Sequence, residues 1–305
     1  MKRDKIGIIG AGHVGTHVAS ALALSDLCGE IVLLDCDEKK AAAAAMDLAD
    51  PAVFLPRPTV IRAGGYADLA DAGLVVLAAG AAILEADRLL ELSASAGIVA
   101  DVAPRLTGCG FAGAVVSITN PCDLVAQLLA QRTGLTVVGS GTALDTARLR
   151  RHIAAAAQVA PAAVEAWVLG EHGDSQVAAL SAARIGGRPA AERCSEAALA
   201  EAARATVSAG WDIAEVRGCT EFGIGSAAAD LCAAILRDEH RVLACSAMLA
   251  GEYGEQGVFA GLPRVVGAAG ALLSLPPQLN AAEQECFARS CALLRENAAR
   301  LGLAV

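Results

Sequence analysis

The chain is poor in aromatic residues, in runs of basic residues and in long apolar segments. Phe, Trp and Tyr make up only 3% of its 305 residues, although 55% are hydrophobic, because much of that fraction is alanine. The longest uncharged apolar runs, at 73–84 and 265–275, are shorter than the roughly 20 residues that a membrane helix needs. Lys and Arg never run beyond pairs, and the net charge is −9. We therefore expect a helix-rich, soluble protein that binds neither membranes nor nucleic acids.

Cysteine is present ten times, but never in a spacing typical of metal sites. The residues are scattered singly, with no CxxC and no Cys/His ligand pattern. We expect reduced, small apolar side chains, with neither a disulfide framework nor a bound metal. The first residues, MKRDKIGIIGAG, place basic residues before an apolar stretch, but glycines interrupt it and no cleavage site follows. We therefore expect no signal peptide and a cytoplasmic location.

The first half alternates β-branched apolar runs with alanine-rich stretches of helical period. We predict strands in KIGIIG, EIVLLD, TVIRAG, LVVLAAG, AVVSIT and TVVGSG, and helices over 14–25, 39–48, 89–106 and 123–131. Apolarity within the strands is continuous, as in strands buried on both faces. The sequence therefore predicts an α/β protein whose residues 1–141 form a doubly wound parallel sheet of the Rossmann type.

After residue 141 the pattern changes to long alanine-rich helical segments. We predict helices over 145–157, 195–214, 227–237 and 281–301, with shorter strand-like pieces between them. A chain of this length usually exceeds one compact core, and clefts between domains are common binding sites. Residues 142–305 are therefore predicted to form a second, mixed α/β domain that binds the substrate.

The motif GAGHVG follows the first predicted strand and opens a helix. Its glycines, Gly10, Gly12 and Gly15, permit a tight turn and close approach of a pyrophosphate to the helix N-terminus. Asp35 ends the second predicted strand, where it can accept hydrogen bonds from an adenine ribose diol. Because its charge should repel a 2′-phosphate, we predict a site for NAD rather than NADP.

The segment VLGEHGDSQV places His172 directly after an apolar run. On spacing alone, a lone histidine next to glycine is more typical of a turn residue than of a proton carrier. A catalytic histidine needs a carboxylate to orient its ring, and an anionic substrate needs cations beside it. The role of His172 therefore depends on partners elsewhere in the chain.

Five segments resemble the NAD-dependent L-lactate and malate dehydrogenases in the same order, nearly end to end. They are DLADPAVFLPRPTVIRAGGYADLADAGLVVLAAG, SITNPCDL, GTALDTARLR, VLGEHGDSQV and GCTEFGIG. The resemblance is closest to L-lactate dehydrogenase. It implies that a 2-oxo acid and its L-2-hydroxy acid are interconverted with NAD, in a homodimer or homotetramer.

The resemblance also supplies the partners that His172 requires. Asp145 matches the carboxylate that hydrogen-bonds the catalytic histidine, and Arg148 matches the arginine that binds the substrate carboxylate. Arg88 matches the lid arginine that polarises the reacting carbonyl, and Asn120 matches the asparagine that hydrogen-bonds the substrate oxygen. By this resemblance His172 is the acid/base catalyst.

The remaining expected ligand contacts follow from the same resemblance. Besides Arg148 and Asn120, the substrate pocket is expected to include Ala82, Ile83, Thr220 and Ile224. Cofactor contacts are expected at Gly10, Gly12, His13, Val14, Gly15, Asp35, Ala79, Gly80, Thr119 and Asn120. His13 belongs to this set by its place in the turn. We assign no chemical role to its side chain or to that of His17, and expect both to be exposed or packed.

The segment AAILEAD between Gly80 and Arg88 departs from the family pattern. It is one residue shorter than the family's lid and lacks its glycine and proline. The position that carries glutamine in lactate and arginine in malate dehydrogenases falls on Ala82 or Ile83. Neither can pair with a second carboxylate, which favours pyruvate or a larger aliphatic 2-oxo acid. Two alternatives stay open: a malate dehydrogenase, and an NAD-binding protein with a structural or sensing role and little turnover.

A regulatory site of the family is also altered. Many bacterial lactate dehydrogenases bind fructose 1,6-bisphosphate through an arginine matched here by Arg150 and a histidine whose position holds Glu165. A carboxylate facing a phosphate is repulsive. We expect no activation by the bisphosphate, with Arg150 serving as a structural cation paired with Glu165.

Overall fold

The computed structural model describes residues 5–55, 57–80 and 88–303. Within these ranges the strands are β1 (Lys5–Ile9), β2 (Glu30–Leu34), β3 (Val60–Ala63), β4 (Leu74–Leu77), β5 (Ala114–Ser117), β6 (Val137–Gly139), β7 (Val164–Glu165), β8 (Val168–Leu169), β9 (Val177–Ala178), β10 (Arg184–Ile185), β11 (Arg188–Pro189), β12 (Arg241–Ala250), β13 (Gln256–Gly267) and β14 (Gly270–Ser274). The α-helices are α1 (His13–Leu24), α2 (Glu38–Ala49), α3 (Arg88–Gly108), α4 (Cys122–Thr133), α5 (Ala143–Ala157), α6 (Glu196–Arg217), α7 (Phe222–Leu236) and α8 (Ala281–Arg300).

Six parallel strands lie side by side in the order β3, β2, β1, β4, β5 and β6. The apolar runs of the inner strands are buried on both faces, and β4 is buried along its whole length, whereas the edge strand β3 is partly exposed. Helices α1 and α2 pack on one face and α3 and α4 on the other, so the winding reverses between β1 and β4. The predicted strands and helices of the first half are all present, and the Rossmann-type doubly wound sheet is confirmed.

The same sheet continues into the C-terminal half of the chain. Strand β12 pairs antiparallel with β6, with Ser246 opposite Gly139, and β13 and β14 extend the sheet to nine strands. The predicted strand-like pieces of this half include two long strands, β12 with 10 residues and β13 with 12, and both are shorter than the helices α5 to α8 of the same half. The apolar pattern of β13 is interrupted by Gly257, Gly261 and Pro263, so its length cannot be read from the sequence. The strand is stabilised by pairing with β12 on one side and β14 on the other. The four predicted helices of this half are present as α5 to α8.

Apolar layers cover both faces of the sheet, and a third cluster lies in the C-terminal half. One layer contains α3, α4 and α8, the other contains α1, α2 and α7, and the third joins α5 and α6 to β7, β8 and β10. Aliphatic residues dominate all three, and Phe287 is the one aromatic among the largest fully buried side chains of the described residues. None of the described helices is both long and apolar enough to span a bilayer.

All ten cysteines are described, and none of them forms a disulfide. Six are buried, as expected for small apolar residues, whereas Cys36 is exposed. Burial raises the pKa of the Cys122 and Cys291 thiols to about 12, so both stay protonated near neutral pH. Within the described ranges, no three His, Cys, Asp or Glu side chains gather where they could hold a metal ion.

The turn between β1 and α1 allows a test of two glycines. A Cβ atom on Gly15 would lie 1.9 Å from the Gly10 carbonyl oxygen, whereas one on Gly12 would meet nothing closer than the Lys40 ammonium at 3.7 Å. We predict that Gly15→Ala lowers the free energy of unfolding by about 1–3 kcal/mol, because the backbone must move. Gly12→Ala removes only an N-cap glycine and should cost about 1 kcal/mol or less. Equal losses in urea unfolding followed by circular dichroism would contradict this.

Candidate active site

The turn after β1 lies at the point where the winding of the sheet reverses. Gly10 has a φ of +106°, and a Cβ atom there would lie 2.5 Å from the backbone nitrogen of Ala79 at the end of β4. Only glycine permits this backbone conformation together with this close approach. The Gly10 carbonyl in turn leaves no room for a side chain at Gly15. The first turn of α1 is thereby brought to the carboxyl edge of the sheet, where dinucleotides bind in this fold.

Asp35 follows β2 at the same edge. One of its carboxyl oxygens accepts the Ala11 N–H at 2.8 Å, the other accepts the Asp37 N–H at 3.1 Å, and the Lys40 ammonium lies 3.8 Å away. Burial raises the pKa of Asp35, but these N–H groups, the Cys36 thiol and Lys40 outweigh it and lower the pKa. The carboxylate is therefore ionised near neutral pH. An ionised carboxylate beside a glycine turn fits the ribose and pyrophosphate of a dinucleotide.

The ends of β4 and β5 bring further expected cofactor residues to this edge. The Thr119 hydroxyl donates to the Ala79 carbonyl at 2.7 Å, which ties the two strand ends together. Gly80 is exposed next to Ala79, and Asn120 is exposed next to Thr119. The peptide bond from Asn120 to Pro121 is cis. The structure thus places these four residues along one edge, close to the glycine turn.

His172 and Asp145 meet as the resemblance implies. The ring nitrogen Nδ1 of His172 lies 2.6 Å from an Asp145 carboxyl oxygen, and Arg148 donates to the other oxygen at 3.2 Å. Asp145 is 1% exposed, whereas the His172 side chain is 30% exposed. A carboxylate at Nδ1 favours the tautomer with a proton on that nitrogen, and Nε2 is then the ring atom that can exchange a proton with a ligand.

The charges around His172 favour its protonated form. Burial lowers the pKa of His172, but the charge and hydrogen bond of Asp145 raise it, and the charge of Asp123 raises it further. Arg148 opposes these carboxylates and lowers the pKa. The net effect is a pKa above the usual value for histidine, so the imidazolium persists to higher pH than it would in water.

Two threonine side chains at the start of α5 hydrogen-bond to β8, the strand that precedes His172. Thr142 donates to the Val168 carbonyl at 2.6 Å, and Thr146 accepts the Val168 N–H at 3.0 Å. Because Thr142 and Thr146 flank Asp145 in the sequence, the helix that carries the carboxylate is attached to the strand that precedes the His172 loop. These two threonines lie within the motif GTALDTARLR, where their spacing alone indicates no role.

Three other residues at the site are missed by the sequence analysis. Asp123 accepts the backbone N–H of His172 at 2.8 Å, and Ser290 on α8 accepts the N–H of Glu171 at 2.8 Å. Ser95 on α3 donates to the Asn120 carbonyl at 2.5 Å. Asp123 lies in the motif SITNPCDL, which is its only signal in the sequence. Ser95 and Ser290 lie in helical segments that carry no such signal.

The expected pocket residues Thr220 and Ile224 lie at the start of α7, and both are half-buried. Between them the Gly223 backbone lies against Leu144, the neighbour of Asp145, since a Cβ atom on Gly223 would lie 2.8 Å from the Leu144 side chain. The start of α7 therefore borders the helix that carries Asp145.

The two histidines of α1 match the expectation for their side chains. The His13 side chain is 84% exposed. The His17 ring packs edge-on against Phe222, with 4.5 Å between the ring centroids. The assignment of His13 and Val14 to cofactor binding stays a prediction.

Part of the expected site lies outside the described residues. Ala82 and Ile83 fall in the undescribed stretch 81–87. The backbone of Arg88 begins α3, but its side chain also lies outside the described part of the chain. The contacts expected for these three residues therefore stay predictions.

Comparison with known proteins identifies the family. A model of the lactate/malate dehydrogenase NAD binding domain matches residues 4–137, and a model of the alpha/beta C-terminal domain of lactate/malate dehydrogenase matches residues 142–301. The L-lactate dehydrogenase of Fusobacterium nucleatum is 38% identical over 308 residues, which cover 97% of this chain and 96% of that protein.

Solved structures agree with the family models. The minor L-lactate dehydrogenase of Enterococcus mundtii in its ligands-bound form has a TM-score of 0.95 at 34% identity and covers 98% of this chain and 99% of its own. The lactate dehydrogenase MGS-M5 from a Medee basin deep-sea metagenome library has a TM-score of 0.95 at 35% identity and covers 99% of this chain and 100% of its own. The resemblance inferred from the five motifs is confirmed, and the chain belongs to the lactate/malate dehydrogenase family.

Proposed function

We propose that this protein is an NAD-dependent L-2-hydroxyacid dehydrogenase of the lactate dehydrogenase type, with His172 as its acid/base catalyst. The observation that carries the proposal is the buried Asp145 carboxylate held 2.6 Å from Nδ1 of a partly exposed histidine. An arginine pairs with the same carboxylate. A histidine oriented by a carboxylate and flanked by a cation is suited to proton transfer on a bound carboxylic acid.

In the proposed reaction, hydride transfer and proton transfer to the 2-oxo acid involve different groups. The glycine turn and Asp35 would hold NADH, which when bound would supply a hydride for the carbonyl carbon of the 2-oxo acid. His172 donates its Nε2 proton to the carbonyl oxygen, so that the C=O group becomes CH–OH. Asp145 keeps the Nδ1 proton and stabilises the imidazolium before the transfer. In the reverse direction the neutral ring takes the proton back.

The substrate is held by charge and geometry. The planar guanidinium of Arg148 has more donors than its contact with Asp145 uses, and it can form two parallel bonds to the substrate carboxylate. We assign the Asn120 amide to a hydrogen bond with the reacting oxygen. Arg88 is assigned to offset the negative charge that develops on that oxygen. Thr220 and Ile224 then line the side of the pocket that faces the substrate's remaining group.

We further propose that the domain division at residue 141 and a cytoplasmic location, both expected from the sequence pattern, hold, together with the homodimeric or homotetrameric state that the family resemblance implies. Large apolar side chains support assembly: Val53 and Phe54, just after α2, are 81% and 87% exposed, and Phe222 at the start of α7 is 61% exposed. Exposed apolar surface of this kind is typical of interfaces. None of the ten cysteines, all of which are described, forms a disulfide, which supports a reducing compartment.

The variant His172→Asn tests the assignment of the acid/base catalyst. His172→Asn should lower kcat for pyruvate reduction by about 10²–10⁴-fold, because general acid catalysis is lost. The affinity for NADH should be unchanged, since the variant leaves the glycine turn and Asp35 intact. The exposed His240 provides a matched control, and His240→Asn should keep full activity.

The wild-type protein is assayed for NADH oxidation with pyruvate, 2-oxobutyrate, 2-oxoisocaproate, phenylpyruvate and oxaloacetate. This assay also tests the alternative that the protein binds NAD but has little turnover. Turnover within tenfold of wild type in His172→Asn would refute the assignment.

The second prediction concerns specificity. Ile83→Arg should raise the ratio of oxaloacetate to pyruvate reduction, measured as kcat/KM, because a cation in the lid can pair with a second carboxylate. Ala82→Arg is made in parallel, because the gap in the lid leaves both positions possible. An unchanged ratio in both variants would place the specificity residue elsewhere.

The third prediction concerns activation by a bisphosphate. The Arg150 guanidinium stacks on Trp167, 4.5 Å from the ring centroid, and donates to the Ala166 carbonyl at 3.0 Å. Burial lowers the pKa of Arg150 and the charge of Glu165 raises it, so the two charges interact, but they form no direct ion pair among the described residues. The direct contacts of the cation are the Trp167 ring and the Ala166 carbonyl, and Glu165 is exposed. Because Arg150 is already engaged and Glu165 repels phosphate, millimolar fructose 1,6-bisphosphate should leave the half-saturating pyruvate concentration unchanged at neutral pH. A clear fall would contradict this.

A further inference from the structure

Asp123 contacts the backbone of His172, whereas Asp145 contacts its ring. Asp123 belongs to the first turn of α4 and is 2% exposed. One of its carboxyl oxygens accepts the backbone N–H of His172 at 2.8 Å. The ring of the same residue is bound by Asp145 on α5. His172 is therefore held by two buried carboxylates from two helices, one at the backbone and one at the ring.

Resting on the proposed role of His172, we propose that Asp123 is a positioning residue that fixes the His172 backbone and places a second negative charge beside the imidazolium. It touches neither substrate nor cofactor in this proposal, and it acts only through His172. The family resemblance assigns no role to this residue.

The hydrogen bond from Asp123 matters because His172 lies in a loop. Residues 171–176 connect β8 to β9 and have no helical or ladder hydrogen bonds of their own at His172. The two consecutive N–H groups of Glu171 and His172 are taken by side chains, Ser290 from α8 and Asp123 from α4. Loss of either anchor lets the loop move, and proton transfer is sensitive to displacements of about 1 Å.

The surroundings of Asp123 show that a neutral acceptor would be easier to bury. Burial raises the pKa of Asp123 to about 6, and the charge of Glu171 acts in the same direction. The nearby Ser246 hydroxyl on β12, the His172 N–H and the His172 charge lower the pKa. An asparagine or serine would accept the same N–H without this desolvation cost. A carboxylate at this position therefore adds something beyond the hydrogen bond, namely charge.

The other groups that face Asp123 and His172 do not cancel that charge. The thiols of Cys122 and of Cys291 on α8 have pKa values raised to about 12 and stay neutral. At the ring, Arg148 disfavours the imidazolium, while Asp145 and Asp123 favour it. Two carboxylates against one guanidinium leave a net negative environment, which keeps His172 protonated for the reduction of a 2-oxo acid.

The experiment removes the charge and keeps the hydrogen bond. Asp123→Asn is nearly isosteric, and its side-chain oxygen can accept the same N–H. Without the charge, His172 loses its proton more easily, so the fall of kcat/KM for pyruvate reduction at high pH should move measurably toward lower pH. At the plateau, kcat should change little, and NADH affinity should be that of wild type. Asp123→Ser, a second uncharged acceptor, should give the same shift.

Two further variants separate the contributions. Asp123→Ala removes the acceptor as well, and kcat should fall about 10²-fold even at the plateau, with rescue in Asp123→Asn. Asp101→Asn removes one exposed carboxylate from α3 and controls for net charge, so its pH profile should match wild type. Profiles of Asp123→Asn and Asp123→Ser that superimpose on wild type, or an equal shift in Asp101→Asn, would overturn the proposal.

The two variants His172→Asn and Asp123→Asn distinguish a wrong role for Asp123 from a wrong role for His172. If His172→Asn keeps its activity, the assignment of the acid/base catalyst fails, whatever Asp123 does. If His172→Asn is inactive while the pH profile of Asp123→Asn is unchanged, only the role of Asp123 fails. NADH binding, measured by fluorescence for each variant, shows that the dinucleotide half is folded in both cases.

Discussion

The contact between the Asp145 carboxylate and the His172 ring joins two parts of the chain 27 residues apart, and the rest of the site is arranged around it. A carboxylate that is 1% exposed is costly unless hydrogen bonds and opposite charges compensate it. Arg148 on the same helix provides one such charge and the imidazolium provides another. The charge of Asp145 stabilises the protonated ring, and the protonated ring in turn stabilises the charge of Asp145. The local fold is thereby coupled to the protonation state of His172.

The composition of the chain suits this arrangement. With few aromatic residues, its apolar layers consist mainly of alanine and branched aliphatic side chains, which let helices and strands approach closely. The clearest case is the turn after β1, where the Gly10 backbone rests against Ala79 and leaves no room for a side chain at Gly15. The dinucleotide edge is thus shaped by backbone contacts. The surroundings of His172 are shaped by side-chain hydrogen bonds from α4, from α8 and from the start of α5 to β8 and to the loop between β8 and β9.

The continuous sheet brings these two regions together. Strand β6 ends the parallel half, and α5 with Asp145 begins four residues later. On its other side β6 pairs with β12, so the C-terminal strands extend the same sheet. Asn120 and Asp123 both follow β5, so the exposed asparagine at the sheet edge and the anchor of the His172 backbone come from one short segment.

Much of this protein was determined by the sequence alone. The strands and helices of the first half are properties of short windows, since burial on both faces gives continuous apolar runs and helices give a regular period. The glycine turn, Asp35 and the three-residue spacing of Asp145 and Arg148 are local for the same reason. Only the tertiary structure decided that Ser95 reaches Asn120 across 25 residues, Asp123 reaches His172 across 49 and Ser290 reaches Glu171 across 119. A polar residue in an otherwise apolar helix carries no local sign of its partner, because packing of distant elements selects that partner. The long strands β12 and β13 were hidden likewise, since their order comes from neighbours across the sheet and not from their own residues.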